Sequence, residues 1–149
     1  MMCKPFCKFL CALAVLALCA GARAGDVAVT GAWLRAVPPV SPAMAGYFEL
    51  TNNADQTLTL VGAKAGFAGM AMLHDTRTGA DGQRAMEHLA SVPLKPGESV
   101  RFAPGGKHLM LMDLSSVPPA GERRDVCLTF SDHDDLCVPF QVRHNAPTR

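Results

Sequence analysis

Residues 125–142 read DVCLTFSDHDDLCVPFQV, two alternating runs on either side of the polar segment SDHDD. Apolar and polar residues exchanging with a period of two are the pattern of a strand with one buried face. Folding the segment about Asp132 sets Cys127 opposite Cys137 and Leu128 opposite Leu136, with the cysteines on one face and the leucines on the other. Two opposed cysteines in an exported chain read as a cross-strand disulfide, with free or metal-binding thiols as the alternative.

The same grammar recurs upstream. Alternating runs stand at VAVTGAWLRA (27–36), AGYFELTN (45–52), TLTLVGAK (57–64) and MAMLHD (70–75), then at AMEHLASV (85–92), ESVRFAP (98–104) and HLMLMDL (108–114). Gly, Pro, Asn and Asp separate them, as in KPGES and APGGK, and a Pro-rich connection, AVPPVSPA, joins the first two. No long helical periodicity and no internal repeat interrupts the pattern. Short strands at this spacing predict one all-β domain, a sandwich or a Greek-key barrel.

The N-terminal 24 residues stand apart from this pattern. MMCKPFCKFLCALAVLALCAGARA places Lys4 and Lys8 before an apolar run and ends in the small-residue exit Ala22-Arg23-Ala24. It reads as a secretory signal peptide cleaved before Gly25, and its apolar run is short for a bilayer span. Lipid attachment at Cys19 is disfavoured by the bulky Leu18 before it. Residues 25–149 then form the expected domain, soluble and periplasmic. With eleven basic and thirteen acidic residues its formal charge is −2, which argues against nucleic acid as a partner. Four of six cysteines leave with the leader, and only Cys127 and Cys137 remain.

One group of residues is not explained by core formation. In PGGKHLMLMDL (104–114), His108, Met110 and Met112 share a strand face while Leu109 and Leu111 occupy the other. In GMAMLHD (69–75), Met70, Met72 and His74 repeat the arrangement, and Met86 and His88 lie two apart between the two segments. Methionine alone is a common core filler. A core strand gains little from alternating Met with His, however, because a buried imidazole needs a hydrogen-bonding partner. A metal ion supplies one. Thioethers bind calcium and magnesium poorly and suit Cu(I), while imidazole binds both copper oxidation states. Copper, preferably as Cu(I) with Cu(II) also accommodated, is therefore the expected ion. DHDD lacks the spacing of an EF-hand loop, and no Cys-x-x-Cys array is present.

These residues resemble the motif of the periplasmic copper chaperones called PCuAC: a His, about ten residues, a Met, 21 residues, then His-x-Met. Here 21 residues separate Met86 from His108, Met110 completes His-x-Met, and eleven residues separate His74 from Met86. The additional residue falls in the Gly/Asp-rich DTRTGADGQRA. The resemblance extends over most of residues 31–142. It implies a cupredoxin-like β-barrel with a Cu(I) site at His74, Met86, His108 and Met110. His88 stands as the alternative to Met86, and His88, Met72 and Met112 are additional candidate ligands. Met70, Met72 and Met112 are expected to pack beneath the site, with transient ligation by any of them as the alternative, and Met44 to lie near it as a lid. The implied function is copper delivery to a partner, either the CuA-bearing subunit of cytochrome c oxidase or a Sco-type thiol chaperone, with the membrane approached only through that partner.

Two other functions within copper biology compete with delivery. Copper storage or tolerance uses the same ligands. Blue-copper electron transfer needs a thiolate with two imidazoles and a weak axial Met, which Cys127 does not provide if it is spent in a disulfide. No catalytic triad, paired carboxylates or phosphate-cradling loop stands out, so neither an enzymatic role nor a small-molecule substrate is expected.

Overall fold

The alternating runs become ten strands in the computed structural model, which describes residues 25–148, so the leader lies outside the described residues. They are β1 (Val27–Arg35), β2 (Ala43–Asn52), β3 (Leu58–Ala65), β4 (Ala68–Thr78) and β5 (Arg84–Leu89), followed by β6 (Val92–Leu94), β7 (Ser99–Phe102), β8 (Lys107–Leu114), β9 (Arg123–Phe130) and β10 (Leu136–Arg143). No helix occurs among the described residues. The strands pair in the order β5-β4-β8-β2-β1-β10-β9-β3-β6, with β7 also on β2. Every pairing is antiparallel except β1 with β10.

Leucines from both ends of this path, Leu73 on β4 and Leu60 on β3, join one core with Leu34, Phe48, Leu109 and Phe140. One face of the sheet therefore wraps onto itself as a sandwich, and its other face is turned outward. Phe48 anchors the interior, stacked on Phe102 at 4.3 Å and edge-on to Phe140 at 5.7 Å. The one deeply buried amide, Asn52, is fully employed. Its Nδ2 donates to the carbonyls of Gln56 and Leu94, and its Oδ1 accepts from the Ala54 amide. Burial without those partners would be costly.

The C-terminal hairpin folds as its sequence requires. Cys127 is the register partner of Cys137 and Leu128 that of Leu136, and the two cysteines form a disulfide. The Thr59 amide donates to Asp132 Oδ1, which ties the hairpin turn to β3.

Two expectations need correction. The run 85–92 is two strands: β5 pairs with β4, whereas β6 crosses to β3. A break at Ala90-Ser91 lets one stretch serve both ends of the sheet, and Pro93 is tolerated because β6 is an edge strand. Met44 is no lid. It pairs with Leu111, is 2 % exposed and belongs to the core.

Candidate metal centre

The register of β4, β5 and β8 decides what the His and Met residues can do together. His74 is the direct partner of His88 on β5 and of His108 on β8. Directly opposed residues share a face, so three imidazoles form one row across three strands. The His74 ring lies 5.7 Å from each of the other two, nearly perpendicular to both. Beside this row, Met72 faces Met110 and Met70 faces Met112 across the β4–β8 ladder. Met86 lies two residues from His88 on β5, and its Sδ is 3.1 Å from His74 Nδ1.

This face is the outward one. Leu73, Leu109 and Leu111, which alternate with the His and Met positions, are at most 1 % exposed, whereas Met86 is 56 % and Met70 41 % exposed. Met72, Met110 and Met112 are half-buried. The expectation that Met70, Met72 and Met112 pack beneath the site is thus overturned, since they stand beside it on the same surface. The strands under the row are held from their other side, where Asp75 sits between Arg77 and Lys107 and Arg77 reaches Glu87 at 3.0 Å.

His108 is the most buried member, 6 % exposed. Its Nδ1 donates to the Gly106 carbonyl at 2.9 Å, which fixes the tautomer and leaves Nε2 with a free lone pair. For His74, burial lowers the pKa below 6.5, and the neighbouring His108 and His88 lower it further. A neutral imidazole is the ligand form. The imidazoles of His74 and His108 thus stand beside the thioethers of Met86 and Met110.

Among the described residues no three His, Cys, Asp or Glu side chains converge closely enough to hold a metal unaided. The thioethers of Met86 and Met110, beside the row, can supply the further donors. A donor set of two imidazoles and two thioethers is neutral and soft, which fits Cu(I) and fits hard divalent cations poorly. His88 also flanks His74, but Met86 makes the direct contact. The additional residue in the motif is absorbed outside the row. The β4–β5 turn closes through the Gly79 amide on the Gln83 carbonyl and the Gln83 amide on Asp81 Oδ1. A cavity of about 280 Å³ lies elsewhere, between Trp33, Glu49, Arg101, Phe102, Pro104 and Pro147, and no His or Met lines it.

The sequence puts Met70 on one face with Met72, beneath the site or as a transient ligand, and only the β4–β8 register reveals that Met112 stands opposite it.

Comparison with known proteins places this geometry in context. The model of the family described as LpqE-like matches residues 27–142. A protein of Leifsonia xyli subsp. xyli named "Putative lipoprotein Lxx21020" is 32 % identical over 123 residues, which cover 83 % of this chain and 73 % of the relative. Among solved structures, the copper-bound PCuAC domain from PmoF2 superposes with a TM-score of 0.67 at 26 % identity, covering 83 % of this chain and 95 % of that domain. The Cu(I) form of DR1885 from Deinococcus radiodurans superposes with a TM-score of 0.63 at 34 % identity, covering 85 % and 84 %. The sandwich is accordingly of the cupredoxin-like, PCuAC type.

Proposed function

The chain belongs to the LpqE-like family and has the PCuAC fold, and from that membership we propose that it is a copper chaperone. The observation that carries this reading is the outward row of His74, His88 and His108, with Met86 in contact with His74 and Met110 adjoining His108 along β8. Cu(I) is held by the imidazoles of His74 and His108 and the thioethers of Met86 and Met110. Two similar structures, a copper-bound PCuAC domain and a Cu(I) form of DR1885, support copper as the cargo.

The placement of these ligands suits transfer rather than storage. Neutral ligands hold the ion without a strong Coulombic well, and Met86 at a sheet edge is open to solvent. A competing donor can displace Met86 first while the buried His108 retains the ion. A binuclear CuA centre or a thiol chaperone of the Sco type supplies such donors, and either is the proposed recipient. No catalytic step is needed. The family's description as lipoproteins and the signal-like leader support an exported protein of the cell envelope, and we place it in the periplasm.

The test is an anaerobic transfer assay. Cu(I)-loaded protein is mixed with an apo CuA domain or an apo Sco-type protein, and both are separated and assayed for metal. Copper moving to either acceptor supports delivery. Copper staying on the chain while both acceptors remain empty refutes it.

A further inference from the structure

Met70, Met72, Met110 and Met112 form two cross-strand pairs one step along the ladder from the His row. They lie on the outward face, and Met70 is 41 % exposed although the core has room only on the opposite side of β4 and β8. Packing does not explain four thioethers there. The backbone beside them is also unusual. Asp113, next to Met112, is the only non-Gly residue with positive φ among the described residues, at 53°. Its β4 neighbour is Gly69, where a Cβ would stand 3.0 Å from that of Asp113. A left-handed residue in a strand, admitted by a glycine opposite it, flanks the Met70–Met112 pair on both strands. Such outliers persist only where surrounding structure holds them.

We infer that Met70, Met72 and Met112 form a second, all-thioether Cu(I) site that adjoins the His/Met site through the Met72–Met110 pair. Directly opposed side chains on a sheet come close enough for long residues to meet, and diagonal neighbours remain within their reach. Three neutral sulfurs make a softer set than the mixed His/Met site, and they admit Cu(I) while giving Cu(II) no preferred ligand. Met110 lies between the two sets, so an ion can pass along the ladder by exchanging one sulfur at a time, with no change in oxidation state. The second site binds more weakly, since it has no imidazole and none of its ligands is fixed by a hydrogen bond as His108 is. This inference rests on the copper reading of the His row.

The test uses the full chain, labelled at the methionine methyls and titrated anaerobically with Cu(I) while NMR follows the methyls and the His108 ring. The first equivalent is expected to move His108, Met86 and Met110, and the second to move Met70, Met72 and Met112. Met70→Leu with Met112→Leu, near-isosteric changes on an outward face, is expected to remove the second equivalent and leave the first unchanged. A second equivalent that leaves the Met70 and Met112 methyls unmoved, or a double variant that still takes up two ions, overturns the inference. A first equivalent that leaves His108 and Met86 unmoved refutes instead the proposed copper site.

Discussion

His108 and Leu109 are adjacent on β8 and face opposite ways, so alanine at each should have opposite consequences. Leu109 is fully buried beside Leu34 and Gly46. Leu109→Ala removes that burial and leaves a cavity, at about 3 kcal/mol. For a domain of this size each kcal/mol shifts the melting temperature by about 4 °C, so a fall of about 12 °C is expected. His108→Ala loses the hydrogen bond to the Gly106 carbonyl, about 1 kcal/mol, hence a fall of about 4 °C. Copper reverses the ranking. Ligand at one hundred times its Kd stabilises the native state by about 2.7 kcal/mol, which should raise the melting temperature of the wild type and of Leu109→Ala by about 10 °C. His108→Ala should gain little. Differential scanning calorimetry of both variants, apo and with Cu(I), checks all four values. If His108→Ala melts as low as Leu109→Ala and is still stabilised by copper, the outward-facing ligand role assigned to His108 is wrong.

Other perturbations probe the scaffold and the protonation of the site. Asn52→Ala should cost about 1–3 kcal/mol in urea unfolding, because the carbonyls of Gln56 and Leu94 lose their donor in a buried turn. Cys127→Ser with Cys137→Ser releases a loop spanning a separation of 10 residues and should cost about 2–3 kcal/mol by loop-closure entropy, leaving Cu(I) stoichiometry unchanged because neither cysteine is a ligand. The lowered pKa of His74 means that below pH 6.5 the unfolded chain takes up a proton that the folded chain resists. Apo stability should therefore decline as pH falls through that value, and His74→Gln should flatten this part of the profile in thermal melts between pH 7.5 and 5.

What the sequence disclosed follows from where residue contrast was strong. Alternation of His108 and Met110 with Leu109 and Leu111 set the two faces of β8, and the paired cysteines set the register of the last hairpin. Met44 was misplaced because it stands between alanines and near a glycine, where nothing in the residue types marks the inner face. The run 85–92 carried no turn residue other than Ser91, so its division between two ends of the sheet was invisible. The alignment of His88, His74 and His108 was likewise beyond sequence. Register between strands distant in the chain depends on the whole sheet, and a slip of one residue would have turned His74 inward.

X-ray absorption at the copper edge, on the protein loaded with one equivalent of Cu(I), tests the His/Met site most directly. The expected spectrum shows Cu(I) bound by both nitrogen and sulfur, and this mixed shell is lost when Met86 and Met110 are replaced by leucine. A copper centre with nitrogen and oxygen neighbours only, unchanged by those substitutions, would contradict the site built from His74, Met86, His108 and Met110.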